Sequence, residues 1–311
     1  MTASPNISVV MGVYNGAENL RDTVQSVLSQ EGVDLEFVIV DDGSTDSTPV
    51  LLEEVARTDR RVRVARQSNL GLTRALIRGC AEARGEFIAR QDCGDLSLPG
   101  RLLTQIRTME SHPDATLMSC GTRFVGPQDE PLYDVTIGED VATAGLMTLE
   151  LKRLRGPAHH GCTLFRRDLY ERVGGYREEF YFAQDLDLWS RLVEHGPHIA
   201  VSGLFYQAGF SPGSISSLQR PGQVECAEIL LECASLRRVN QSESAALARA
   251  RMVLPGAQKA TARDLASALY FVGTCLHKRG DARARRYFRD ALRANPFHLK
   301  SALRLLWNQG R

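Results

Sequence analysis

Two short acidic stretches carry the side chains best suited to chemistry: DDGSTD at 41–46 and DCGD at 92–95. Each follows a continuous apolar run, Phe37 to Val40 in the first case and Phe87 to Ala89 in the second, so each sits at the carboxyl end of a buried-type strand. A rim with several carboxylates and no P-loop suits a divalent cation holding a phosphorylated ligand. Mg²⁺ and Mn²⁺ prefer oxygen ligands and are often shared with phosphate, whereas carboxylates alone would repel a diphosphate. The plainer reading is structural. Asp46 or Ser47 would cap a helix that begins at Pro49, and Gly94 would supply a positive φ in a turn before a helix starting at Leu98-Pro99.

The elements that must position these residues alternate. Ile7 to Val13 reads as a strand ended by Asn15-Gly16, and Leu20, Val24, Val27 and Leu28 repeat with helical spacing. Phe37 to Val40 is a second strand, followed by a helix whose apolar side is Leu52, Val55 and Ala56. Val62 to Ala65 is a third strand, Leu72, Leu76 and Ile77 form the face of a third helix, and Phe87 to Ala89 is a fourth strand. Repeated βα units with continuous apolar strands predict an α/β fold with a mostly parallel sheet covered on both faces. Ligands bind such sheets beyond the carboxyl ends of the strands, where both acidic stretches fall on one rim. Further along, Ala115 to Val125 reads as another strand and Val141 to Leu154 as a helix.

Six ordered pieces, ISVVMGVYNGAENLRDTVQSVLSQ, EFVIVDDGSTD, NLGLTRAL, GEFIARQDCGDLSLPGRL, HHGCTLFRRDLYERVGGY and AQDLDLWSRL, resemble the inverting glycosyltransferases of family 2, which have the GT-A fold. The resemblance covers residues 5 to 210 and implies a nucleotide-sugar donor, UDP- or dTDP-linked, bound across the first half of the sheet. It implies that Tyr14 lies by the base and that Asp41 and Asp42 hydrogen-bond the uracil and ribose, with Arg74 or Arg90 balancing the diphosphate. Tyr14 also reads as a half-buried strand-end aromatic, and either arginine as a solvated helix face. Family members commonly show D-x-D-D at 92–95, where this chain has Gly94. Asp92 and Asp95 remain as implied ligands of a divalent metal, Mn²⁺ or Mg²⁺; either Asp95 or a water takes the vacated position, or the metal is bound more weakly. His160 is implied to face the diphosphate or metal, with a structural hydrogen bond as its alternative, and Tyr176 to belong to an acceptor-side loop. Asp185 is implied as the general base that takes the acceptor proton, with Asp187 as its backup; Asp185 also reads as an N-cap.

The totals bound the rest. Lys plus Arg number 38 against 37 Asp plus Glu, but from Lys259 to Arg311 the count is twelve against three, so a basic tail follows an acidic body. From about Gly222 the pattern is helical only, with Leu265–His277, Ala282–Ala294 and Leu299–Trp307 as segments. Ala284, Phe288, Ala291 and Pro296, with Gly273, resemble part of a tetratricopeptide repeat. One such unit is too small to close a core, so it must pack on the catalytic domain or on another chain. The expected domains are a GT-A domain over 5–215 and a small all-α region over 222–311. The basic helices offer a face to an anionic membrane surface or an acidic protein, or simply to solvent, and lack the aromatic interleaving of a nucleic-acid binder. Seven cysteines without a C-x-x-C pair predict reduced thiols. The start lacks a leader pattern and no stretch is long and apolar enough to span a bilayer, which predicts a cytoplasmic protein, peripheral to the membrane if the tail binds it. The expected activity is transfer of a sugar to a hydroxyl of a glycan or lipid-linked acceptor. The rival is a degenerate nucleotide-sugar-binding module, for which Gly94 speaks. The absence of G-x-G-x-x-G after the first strand speaks against a dinucleotide enzyme.

Overall fold

The computed structural model describes residues 5–210, 220–256 and 261–307, with side chains at 139–141, 220 and 307 outside that description. The first half is a parallel sheet in the order β3-β2-β1-β4, made of β1 (Ile7–Val13), β2 (Leu35–Asp41), β3 (Val62–Arg66) and β4 (Phe87–Arg90). Helices α1 (Leu20–Leu28), α2 (Thr48–Thr58) and α3 (Leu72–Ala81) connect these strands. The strands read as unbroken apolar runs because both faces are covered: Val9, Met11, Phe37 and Ile39 enter one core, while Val10 and Val38 enter the other.

Beyond β4 the sheet continues through antiparallel neighbours. β5 (Leu96–Ser97), β6 (Leu117–Val125), β7 (Pro131–Val135), β8 (Thr163–Arg166) and β9 (His198–Gly209) give the order β4-β8-β6-β9-β5, with β7 paired to β6. β9 runs parallel to β6 in one of the longest ladders of the sheet, so the sheet as a whole is mostly parallel. Helices α4 (Arg101–Ser111), α5 (Glu139–Met147), α6 (Arg167–Arg172) and α7 (Gln184–Leu192) complete the α/β part.

Three local expectations are corrected. The helix expected over 141–154 is α5, which ends at Met147: Thr148 is extended, and the chain folds back so that Arg155 N–H donates to the Gly145 carbonyl at 3.0 Å. The helix expected to start at Leu98-Pro99 starts at Arg101, because its N-cap Gly100 is left-handed at φ +80°, and a right-handed helix does not run through such a residue. Leu72 is exposed rather than on the inner face of α3, where Leu76 is fully buried.

The rest of the chain is helical: α8 (Arg220–Arg238), α9 (Ser244–Ala250), α10 (Ala262–Lys278), α11 (Ala284–Ala294) and α12 (Leu299–Trp307). The expected domain boundary, between 215 and 222, falls largely on residues 211–219, outside the described residues. α8 shares a core with Phe180, Phe182 and Leu154. α10 and α11 pair closely, with Gly273 so near Phe288 that a Cβ there would sit 2.7 Å from the ring. This pair rests on the β7 hairpin through Leu132, Val272, Leu276 and Phe288, and Tyr287 donates to buried Glu130 at 2.6 Å. All seven cysteines are free thiols.

Candidate active site

The carboxyl rim of the first three strands is tied together by its own side chains. Asn15 Oδ1 accepts from Thr45 N–H at 2.8 Å, and Ser44 Oγ accepts from Asn15 N–H at 2.9 Å, which locks the loop after β1 to the loop after β2. Asp46 makes a local turn, accepting from Thr48 N–H at 2.9 Å, and also accepts from Ala17 N–H at 3.2 Å, so it serves the loop rather than a side-chain cap. Tyr14 stands half exposed at this rim. Asp41 is buried; its Oδ1 accepts from Ser44 N–H at 2.9 Å, and its Oδ2 lies 3.2 Å from Arg66 Nε without hydrogen-bond geometry. Both Asp42 oxygens are engaged: Oδ1 accepts from Gln67 Nε2 and Leu70 N–H at 2.8 and 2.9 Å, and Oδ2 from Gly71 N–H at 2.8 Å. Asp42 thereby fixes the segment that leads into α3.

After β4 the chain makes a tight turn in which Asp95 N–H donates to the Asp92 carbonyl and Gly94 has φ +97°. That φ belongs to glycine at the third position of such a turn. Thr23 of α1 clamps it, accepting from Gly94 N–H and donating to the Asp95 carbonyl, each at 3.0 Å. The turn brings Asp92 and Asp95 together with His159, whose ligand atoms all lie within 4.8 Å of one another. Two carboxylates and an imidazole form a donor set that fits Mn²⁺ well and Mg²⁺ through its oxygens.

Each member of this cluster is held from behind. Arg90, fully buried, donates to Asp92 Oδ1 at 2.6 Å and to the Val10 carbonyl. Tyr206 of β9 donates its phenol proton to Asp95 Oδ2 at 2.9 Å and accepts from Asp92 N–H at 3.2 Å, while Gly209 N–H donates to Asp95 Oδ1 at 3.0 Å. The His159 ring stacks on Tyr206 with centroids 5.5 Å apart, and its Nδ1 lies 3.5 Å from Asp95 Oδ2. Burial pushes the Asp95 carboxyl up to about 6. Burial alone would raise Asp92 as well, but the Arg90 guanidinium beside it holds it below the usual carboxylate range. A proton shared by the pair therefore rests on Asp95.

The cluster opens into a cleft of ≈ 640 Å³ bounded by Asp92, His159, Tyr181, Asp185 and Gln223. Asp185 is the second residue of α7, whose N-cap is Ala183 at φ +55°, so Asp185 is inside the helix and not its cap. Its Oδ1 accepts from its neighbour Leu186 N–H at 2.8 Å, and burial raises its carboxyl above the usual range. Asp187, the expected backup, is turned away: it is buried against Arg191 at 2.6 Å and faces Arg177 at 3.6 Å. It is the anchor of α7, because a buried carboxylate demands such partners.

His160 is buried in the wall of the cleft. Its Nε2 lies 2.7 Å from the Tyr176 hydroxyl and accepts from Arg90 Nε at 3.3 Å, and burial together with Arg90 drives its pKa well below the ordinary value, so the ring is neutral. Tyr176 lies in the loop between α6 and α7, with its side chain buried behind the site. Arg74 pairs with Glu178 at 3.1 Å and lines a smaller cavity on the other side of Tyr181. Sequence reasoning missed His159, Tyr206 and Gln223. The doubled histidine in HHG was the one local signal for His159, whereas Tyr206 and Gln223 reach the site from distant segments.

The family model described as Glycosyl transferase family 2 matches residues 8–174, more than half of the chain. The chain belongs to glycosyltransferase family 2. Among curated proteins, it is 32% identical over 200 residues to the putative glycosyltransferase EpsE of Bacillus subtilis, a match covering 63% of this chain and 69% of that one. For two further relatives the match covers 60% and 62% of their length. Among solved structures, Staphylococcus aureus TarS 1-349 in complex with UDP-GlcNAc superposes with a TM-score of 0.61 at 18% identity, over 93% of this chain and 81% of that one. The mannosyltransferase PcManGT of Pyrobaculum calidifontis, in complex with GDP-Man and Mn²⁺, gives 0.56 at 18% identity over 99% and 88%. This family 2 glycosyltransferase therefore has the GT-A fold followed by a helical C-terminal region.

Proposed function

We propose that this glycosyltransferase moves a sugar from a UDP- or dTDP-sugar to a hydroxyl of a glycan or lipid-linked saccharide with inversion at the anomeric carbon. The observation that carries the reading is that Asp185 lines one cleft with Asp92 and His159, two members of the Asp92–Asp95–His159 cluster. Bound there by Asp92, Asp95 and His159, Mn²⁺ or Mg²⁺ would supply positive charge for the diphosphate. The acceptor oxygen attacks C1 of the sugar, its proton passes to the Asp185 carboxylate, and the C1–O bond breaks with its electron pair leaving on the diphosphate. The raised affinity of Asp185 for a proton suits a base, since burial disfavours its charged form until the proton arrives. Arg90 holds Asp92 in its ionised form, and Tyr206 and Gly209 aim Asp95. The bases of UDP and dTDP would meet the rim at Tyr14 and Asp41.

A degenerate, binding-only module is the second reading, favoured by Gly94, which removes one carboxylate from the turn. Release of nucleoside diphosphate from a panel of UDP-, dTDP- and GDP-sugars, with Mn²⁺, with Mg²⁺ and with chelator, separates the two. Metal-dependent release that falls about 10²–10⁴-fold in Asp185→Asn while donor binding persists is the expected result. Donor binding without release from any sugar would sink the catalytic reading, and loss of donor binding in Asp185→Asn would sink its role as base.

A further inference from the structure

The last described helix is inverted relative to ordinary practice. In α12, Ser301 is fully buried and Leu305 packs on the α10–α11 core, while Leu299, Leu303 and Leu306 are 75, 59 and 68% exposed. At about 100° per residue these three leucines fall within about 60° of one another, on the side away from Ser301. Phe297, just before the helix, is 87% exposed. Lys300 and Arg304 border the strip, lining a shallow cavity with Leu303 and Tyr270. From Lys278 to Arg304 the chain has nine Lys or Arg against two acids, Asp281 and Asp290.

We propose that this strip and its basic surround form a docking surface for an anionic lipid bilayer, with α12 lying in the plane of the headgroups. The two signals that stable peripheral binding requires are both present: apolar side chains that leave water, and Lys300 and Arg304 beside them, within a basic segment, to meet acidic headgroups. No described helix is long and apolar enough to cross a membrane, so the attachment is superficial. A second copy of the chain is the poorer occupant, because it would bring the same nine-to-two excess of positive charge against itself. The inference is independent of which donor the cleft takes.

Sedimentation of the full chain with vesicles of phosphatidylcholine alone, and of phosphatidylcholine mixed with phosphatidylglycerol, tests it. The protein is expected in the pellet with the mixed vesicles only, and less of it at high salt. Lys300→Gln is expected to weaken partitioning about fivefold, and Leu303→Gln with Leu306→Gln about a hundredfold. Because the three side chains are solvent-facing, far-ultraviolet dichroism and donor turnover in solution should match wild type. A wild-type chain that stays in the supernatant with both vesicles overturns the proposal, as do leucine variants that pellet undiminished. Light scattering that finds a dimer lost in the leucine variant, with no vesicle binding by wild type, assigns the strip to self-association instead.

Discussion

Gly94 joins the fold to the proposed metal site, and replacing it separates the two. Its φ of +97° is disfavoured for any residue with a Cβ, at about 1–2 kcal/mol, part of which is offset by the lower entropy of the unfolded chain. No steric clash adds to this, since a Cβ would have Asn19 Nδ2 as its nearest neighbour at 3.8 Å. Gly94→Ala should therefore lose about 1 kcal/mol, a fall in Tm of about 2–4 °C in chelator. Gly94→Asp carries the same backbone strain and adds a carboxylate beside Asp92 and Asp95, so its Tm in chelator should be lower still. Mn²⁺ should then raise the Tm of Gly94→Asp more than that of wild type or Gly94→Ala, because a ligand that binds only the folded chain stabilises it in proportion to its affinity. Thermal melts with chelator and across a Mn²⁺ series read all three. If Gly94→Ala melts with wild type, the strain argument is wrong; if Mn²⁺ shifts Gly94→Asp no further than wild type, position 94 does not face the ion.

Other perturbations address the scaffold around the cleft. Asp187→Asn breaks a buried pair with Arg191 and should cost about 3–5 kcal/mol in urea unfolding; a variant of full stability but no turnover would return Asp187 to the chemistry. Tyr287→Phe removes the 2.6 Å bond to buried Glu130 and should cost about 1.5–3 kcal/mol while leaving donor turnover unchanged. Burial pushes His198 from 6.5 down to about 4, so the unfolded chain takes up its proton at higher pH than the folded one. The stability this gives is whole above about pH 6.5 and is lost as pH falls from there toward 4, so wild type should lose more Tm over that window than His198→Gln, and equal slopes would exclude His198 as a source.

The legible parts of the fold were those encoded locally. β1, β2 and β4 announce themselves because both faces of each strand are largely apolar, and Asp41 and Asp92 follow the runs of β2 and β4. β9 was not read, because its alternation is interrupted by Ser202-Gly203 where its register against β6 shifts. Asp185 and Asp187 lie two residues apart in one motif, and only the arginines packed against Asp187 show that it is an anchor and its neighbour faces the cleft. The same holds for the adjacent histidines: His160 is claimed by Tyr176 and Arg90, which leaves His159 to meet the carboxylates. Such partners come from far along the chain, and local spacing carries no record of them.

Tyr206 has a consequence for the order in which the protein comes into being. The carboxylates appear early in synthesis, at 92 and 95, but the phenol that aims Asp95 and buttresses His159 follows more than a hundred residues later. The family match ends at 174, before Asp185 and before Tyr206. A nascent chain that has already exposed every matched residue thus has the raw materials of the centre without its arrangement. In the finished fold the centre is completed by β9, which lies between β6 and β5. The arrangement of Asp95 thus depends on the last strand of the sheet rather than on the segment that carries the carboxylates.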